Sequence, residues 1–343
     1  MKTKYLRNTW YSAGWAHDLG DEARAIEIIE TPLVIFRASD GKPQALHDQC
    51  PHRFAPLSRG KIIEGDIRCG YHGLRFNGKG VCTHNPWSER IPSSANVQSF
   101  PVVELDGIIW VWMGEASKAD EAKIRRYPEL VDKNYRFVFG YTCVAAHYEL
   151  IADNLLDLLH SPFLHPGFGE DWFPEHSWRI EGTTVYSDYV APSFQGSEYT
   201  DTLWPQTDGK MIDNFESVRW DPPCLMELRG YNGVDGMNVM EEEGFLNAAP
   251  HILTPQNAAS THYFWASGIR KSESTVSDAD HLALVGTAFE LEDAPMLQGV
   301  QERVGSNTDM LAHKPKPVTL PGDVANVQAR RILKKLIKAY FTK

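Results

Sequence analysis

Cysteine is scarce in this chain, with five in 343 residues, an odd number. A small scaffold stapled by disulfides is excluded, and metal ligation becomes the better use for these thiols. Long apolar runs are missing. The longest, Ile108 to Met113, has six residues, against the roughly 20 of a membrane-spanning helix. The first twenty residues show no apolar run followed by a small-residue cleavage site, so the expected location is the cytoplasm, with no membrane partner. Positive charge is in deficit, 34 basic against 45 acidic residues for a net charge of −11. General nucleic-acid binding, which needs a basic surface, is excluded on that ground. Repeats and low-complexity tracts are also lacking. What is left, 42% hydrophobic and 23% charged, is an ordinary globular composition, long enough for about two domains.

The first third reads as strands. Thr31 to Arg37 is a β-branched and aromatic run, and Asp40-Gly41 supplies a turn after it. Asn77-Gly78 and Gly80 mark a second hairpin, and Asp106-Gly107 joins Val102–Leu105 to Ile108–Met113. An all-β module therefore spans residues 1–115, and a larger unit covers 116–343, beginning with a charged, partly helical connector. The pattern predicts one helix over 147–160 ended by Pro162. It predicts a sheet over 180–270, a helix over 281–293 with Pro295 as a stop or kink, and an amphipathic helix from Val324 to Tyr340.

Two pairs stand out in the β module: Cys50-Pro51-His52 and Cys69-Gly70-Tyr71-His72. Two thiolates and two imidazoles suit a tetrahedral zinc or a Rieske [2Fe–2S] cluster, while the bland reading is four unrelated loop residues. Zinc sites usually pair like with like, whereas here each loop offers one Cys and one His, which favours the cluster. Imidazoles in place of two thiolates make such a cluster easier to reduce, so it accepts and passes on electrons. Arg53, Tyr71 and Gly73 are expected beside it. Cys82, Cys143 and Cys224 have no partners at ligand spacing and read as small buried hydrophobes.

A second constellation lies between Asp153 and His165. Asn154, Asp157 and His160 recur every three residues on a leucine-rich segment, a polar stripe on an apolar helix. His165 follows past Pro162, where a chain turn can bring its ring to that of His160. Two histidines and a carboxylate form the facial triad of mononuclear non-haem Fe(II) sites. Glu290, Glu292 or Asp293 could supply the carboxylate.

Together, C-P-H-x16-C-G-Y-H-G and the later N-L-x-D-x-x-H-x4-H resemble the oxygenase component of Rieske non-haem iron oxygenases. Shorter features, such as His251-Ile252-Leu253-Thr254-Pro255, are similar to the branch that contains vanillate O-demethylases, dicamba monooxygenase and toluenesulfonate methyl-monooxygenase. The resemblance implies an α+β fold, with an N-terminal all-β Rieske domain and a C-terminal helix-grip-like catalytic domain. It implies Cys50, His52, Cys69 and His72 as cluster ligands, His160, His165 and Asp293 as iron ligands, and Asn154 near the iron. It further implies Asp157 as a bridge to a Rieske histidine of the next subunit in a homotrimer. The expected partners are a ferredoxin and/or flavin reductase fed by NAD(P)H. The expected reaction uses O2 to oxidise a methyl or methoxy group of an aromatic, carboxylated substrate, releasing formaldehyde in O-demethylation. Ring hydroxylation or dioxygenation and N-demethylation would use the same metals, and a pure Rieske electron carrier would need only the first set. His251 is a candidate substrate contact. Asn232, flanked by Gly230 and Gly233, is a second candidate, with a turn role as the simpler reading.

Overall fold

The computed structural model describes residues 5–169 and 171–342. The chain divides into two compact units, Tyr5–Arg126 and the residues from Tyr127 onward.

The first unit is built from three small antiparallel sheets. Thr9–Trp15, Ile108–Met113 and Val102–Leu105 form one. Asp106 and Gly107 both take positive φ (53° and 74°), as a two-residue hairpin turn demands. A second sheet joins Arg24–Ile28, Thr31–Arg37, Pro43–His47 and Ser99–Phe100, and a third joins Lys61–Ile63, Asp66–Arg68, Arg75–Phe76 and Cys82–His84. Val34, Phe36, Leu46, Ile67 and Phe76 pack into one core with Cys50 and Cys69, so both thiols sit at the edge of rigid apolar packing. The connector forms short 3₁₀ turns at Ala116–Lys118, Glu121–Lys123 and Pro128–Val131.

The second unit centres on a seven-stranded antiparallel sheet. Its strands are β1 (Tyr135–Val144), β2 (Glu175–Glu181), β3 (Thr184–Gln195), β4 (Met211–Asp221), β5 (Leu225–Gly233), β6 (Phe245–Asn257) and β7 (Ser260–Arg270), in the spatial order β1-β7-β6-β5-β4-β3-β2. The longer helices are α1 (Tyr148–Leu156), α2 (Asp278–Gly286), α3 (Ala294–Val304) and α4 (Val324–Phe341), and Ser161–Leu164 and Glu198–Leu203 form shorter ones. An all-β first unit followed by an antiparallel sheet with helices is the α+β class expected.

Two helices differ from expectation. The helix predicted over 147–160 stops at Leu156, because Asp157 adopts a non-helical backbone (φ −116°, ψ 87°). Tyr189, reaching in from β3, makes good the broken ladder. Its hydroxyl donates to Leu156 O (2.7 Å) and accepts from Leu158 N–H (3.1 Å), which keeps buried backbone groups satisfied. Pro162 does not terminate this helix but sits in the first turn of a short one, Ser161–Leu164, where its missing N–H is harmless. Nor does Pro295 stop the later helix. Residues Thr287–Asp293 form a π-helical stretch that runs into α3, with Pro295 in the first turn. Proline cannot donate to residue 291, and the widened turn absorbs that loss while turning Asp293 inward.

Helix α4 clamps α1. The buried Arg330 guanidinium donates to both carboxylate oxygens of Asp153 (2.7–3.0 Å) and to Glu149 (2.8 Å). Burial pushes the Glu149 carboxyl up to about 7 despite this cation. Arg330→Ala is expected to cost about 2–4 kcal/mol, because it strands two half-buried acids. Thermal unfolding of the variant measures this, and an unchanged Tm would contradict it.

Candidate metal centres and the cavity beside them

The two Cys/His loops of the first unit are folded alike. Cys50 N–H donates to Ala55 O and Phe54 N–H to Cys50 O, while Cys69 N–H donates to Leu74 O and Gly73 N–H to Cys69 O. Both loops place a left-handed residue four positions after the cysteine, Phe54 (φ 59°) and Gly73 (φ 82°). The repeat brings the two thiols into hydrogen-bonding contact and the His52 and His72 rings to 4.5 Å between centroids. Both cysteines are buried, His72 is partly buried and His52 is exposed. Burial, reinforced by Cys69, pushes the Cys50 thiol up to about 11, so a thiolate there requires a metal cation. A buried sulfur pair beside an outward imidazole pair fits a cluster that exchanges electrons through its histidine side. Of the other cysteines, Cys82 and Cys224 are buried as expected, whereas Cys143 is exposed.

In the second unit the break at Asp157 turns His160 toward His165, and the π-helical stretch brings Asp293 to both. His160 Nε2 and His165 Nε2 are 3.1 Å apart, and each is 3.5 Å from Asp293 Oδ1. The far ring nitrogens are tied down. His160 Nδ1–H donates to the Asp157 backbone carbonyl (2.5 Å), and His165 Nδ1–H donates to Glu292 Oε2 (2.7 Å). Both imidazoles therefore present Nε2 lone pairs to one point, as metal-binding histidines do. Asn154 Nδ2 donates to Asp293 Oδ1 (3.0 Å). Burial opposes ionisation of Asp293, but the two histidines outweigh it and hold the carboxyl well below its usual range. Two neutral nitrogens and one carboxylate oxygen are a donor set for divalent iron. Glu290 is not drawn into this set, and Glu292 serves His165 from behind.

Beside these donors lies a mostly apolar cavity of about 100 Å³. Leu155, Leu158, Phe194, Leu228 and Phe289 supply apolar walls, and Asn154, His160, His165 and Asp293 form one part of its lining. No Lys or Arg is among the described lining residues. His251 and Asn232 both line it and both are buried. Asn232 lies inside β5, not in a turn, which corrects the simpler reading of that residue. The paired strands β4 and β6 on either side hold it extended despite its glycine neighbours. His251 Nδ1 and the Tyr263 hydroxyl share a hydrogen bond of 2.6 Å. Burial pushes His251 down to about 4, so the ring is neutral at physiological pH. Tyr263 and Trp265 stand behind Phe289 rather than in the lining.

Residues 144–339 match the family described as the vanillate O-demethylase oxygenase C-terminal domain, and residues 9–101 match the Rieske [2Fe-2S] domain. The chain belongs to the Rieske non-haem iron oxygenases. The dicamba O-demethylase oxygenase component of Stenotrophomonas maltophilia is 34% identical, over 97% of this chain and 98% of that one. The chloroacetanilide N-alkylformylase oxygenase component of Rhizorhabdus wittichii is 30% identical, over 98% and 96%. The crystal structure of dicamba monooxygenase bound to 3,6-dichlorosalicylic acid superposes with a TM-score of 0.91 at 32% identity, covering 99% of this chain and 100% of that one. This Rieske oxygenase is thus the terminal component of an electron-transfer system, with a [2Fe–2S] cluster and a mononuclear iron as cofactors. Among the described residues no helix is long and apolar enough to cross a membrane.

Sequence reasoning missed Tyr189, Asn214 and Glu216, and it named Glu292 only as a possible iron ligand, not as the partner of His165. Asn214 and Glu216 were within reach, since Ile212, Asn214, Glu216, Val218 and Trp220 alternate along β4 and share one face. Glu216 opens onto the cavity, and burial pushes its carboxyl up to about 7.

Two outcomes follow from this geometry. Iron analysis is expected to give three irons per chain, two in the cluster and one mononuclear, with His160→Ala losing only the last; two irons in wild type would contradict it. The raised pKa of Glu216 means that the folded state holds a proton which the unfolded chain releases at lower pH, so this residue costs stability as pH rises through 4.5 to 7. Calorimetry should therefore show Glu216→Gln gaining on wild type between pH 5 and pH 8, and a constant difference would contradict the shift.

Proposed function

We propose that this oxygenase oxidises a methyl or methoxy carbon of an aromatic substrate, with O-demethylation as its reaction. An aryl methyl ether, O2, NAD(P)H and a proton give a phenol, formaldehyde, NAD(P)+ and water. The observation that carries this reading is the cavity itself, a mostly apolar space whose wall includes His160, His165 and Asp293. Bound by those three side chains, ferrous iron supplies the open positions at which O2 is activated.

The chain's own residues do the rest. Leu155, Leu158, Leu228 and Phe289 exclude water and leave room for a flat ring, so the reacting carbon is positioned rather than held by charge. With Tyr263 donating to Nδ1, the neutral His251 turns an Nε2–H toward the cavity, a donor for an oxygen or carboxylate on the substrate. Asn154 donates to Asp293 Oδ1, the oxygen that faces the two histidines, and so fixes the carboxylate beside them.

Asp157 is read as the contact point for electron delivery. Its backbone carbonyl fixes His160, and its partly buried carboxylate accepts from Leu159 N–H (3.1 Å). A second lone pair on that carboxylate can accept from an imidazole N–H of a neighbouring copy, which supports a homotrimer like that implied by the family resemblance. The expected donors are a ferredoxin and/or a flavin reductase. We place the system in the cytoplasm, where the three cysteines outside the cluster, Cys82, Cys143 and Cys224, stay reduced. A second reading, removal of an N-linked alkyl group, is favoured by the N-alkylformylase relative.

Formaldehyde release from methoxyarenes and N-methyl anilines, with benzylic alcohol scored for methylarenes, tests the reading; release from methoxyarenes is expected, turnover of the N-methyl compounds alone would replace it with the second one, and benzylic alcohol alone would overturn O-demethylation. Asp157→Asn keeps the oxygen that accepts from Leu159. It should retain all three irons and lose NAD(P)H-driven turnover by roughly 10–100-fold. Retained turnover would remove Asp157 from the route.

A further inference from the structure

We propose that Glu216 is the specificity-determining residue of the cavity, selecting aromatic substrates that carry an N–H or O–H donor on the part of the ring remote from the His251 contact. The inference rests on the reading of this cavity as the substrate site and names its substrate class more closely.

The carboxylate sits in a slot made for it. Glu216 is paired in register with Gly230 on β5. A Cβ on Gly230 would lie 2.4 Å from Glu216 Oε2 and 2.6 Å from Oε1, so any larger residue would drive the acid out. One oxygen is fixed: Oε1 accepts from Asn214 Nδ2 (3.0 Å). Asn214 is itself held, because its Oδ1 accepts from Trp172 Nε1–H (2.9 Å) and its Nδ2 is shared with Asn232 Oδ1 (3.1 Å). The other oxygen, Oε2, is shut off from bulk water and has no hydrogen-bond partner among the described residues. A buried carboxylate oxygen held this firmly and left unsatisfied is an acceptor in need of a donor. The cavity lining offers no cation, and the remaining acid, Asp293, is already engaged by two histidines and Asn154.

Position separates the two polar contacts. Gly230 pairs with Asn247 on β6, and His251 lies four residues further along that strand, roughly 13 Å at a rise of about 3.4 Å per residue. Glu216 and His251 therefore read different substituents of one ligand. A phenol, aniline or amide N–H facing Glu216 completes its hydrogen bonding with a charge-assisted contact. A carboxylate in the same place sets two anions side by side.

Isothermal titration of the iron-loaded, oxidised enzyme at about pH 8.5, above the raised pKa of Glu216, tests this with three matched sets: methoxyphenols and aminoanisoles, which offer a donor; methylanisoles, which have the same shape and offer none; and methoxyacetophenones, which offer only an acceptor. Meta and para isomers are both used. Donor compounds should bind about 10–100-fold tighter than the methylanisoles. In Glu216→Leu that preference should collapse, while the melting temperature holds or rises because a buried acid has gone. Glu216→Gln, which keeps an acceptor oxygen, should retain part of it. The proposal is overturned if the acetophenones bind as tightly as the donors, the pattern of a protonated Glu216 donating to its ligand, or if Glu216→Leu leaves the donor preference intact. Formaldehyde measured on the same compounds keeps the two readings apart. A Glu216-dependent donor preference without formaldehyde overturns O-demethylation alone, and formaldehyde release indifferent to Glu216 overturns only this inference.

Discussion

Two imidazoles whose near nitrogens lie 3.1 Å apart cannot be held there by attraction to each other. They are held by what grips their far nitrogens: the Asp157 carbonyl behind His160 and the Glu292 carboxylate behind His165. Everything else in the catalytic unit serves this constraint. The helix must end at Leu156 so that the Asp157 carbonyl is free to turn to an imidazole, and the later helix must widen to a π form so that Asp293 reaches both rings while the adjacent Glu292 reaches His165. The lone pairs that converge are compensated only by a cation, which makes metal binding part of the fold's own electrostatics.

The sheet supplies the rest of the site. Its inner face carries residues that a purely structural core would not choose, among them Asn214, Glu216, Asn232, Asn247 and His251. Buried polar groups are tolerated when they are paired, and most of these are. Asn214 is bonded to Trp172, Asn247 to Ser267 and His251 to Tyr263. Helix α1, which carries Asn154 into the metal site, is pinned from outside by Arg330. The stability of a distant C-terminal helix and the geometry of the iron ligands are thus joined through one short helix.

Much of this was legible in the chain. The C-x-H and C-x-x-H pairs, the spacing from Asn154 to His165, the Asp106-Gly107 hairpin and the amphipathic final helix all carry short-range patterns with direct physical meaning. What was not legible depends on contacts distant in sequence. The break at Asp157 is stabilised by Tyr189, more than thirty residues away, so the local pattern reads as continuous helix. Proline at 295 suggested a stop or a kink, since its missing N–H is costly inside an α-helix, and nothing local reveals the π turn that accommodates it. Asn232 looked like a turn residue beside two glycines, since nothing local reveals that strands pair on both sides of it. Choosing among Glu290, Glu292 and Asp293 needed the helix's rotation, which periodicity at 3.6 residues cannot give across a π-helical stretch.

The central claim is that the three-ligand iron site and the aromatic cavity are one site. The most direct test is the electron paramagnetic resonance spectrum of the nitric oxide adduct of the ferrous enzyme, recorded with and without a methoxyarene. A signal of mononuclear iron is expected in wild type, reshaped when the aromatic compound enters the cavity and missing from an Asp293→Ala variant. A signal that ignores the aromatic compound, or that survives the loss of Asp293, would contradict the account.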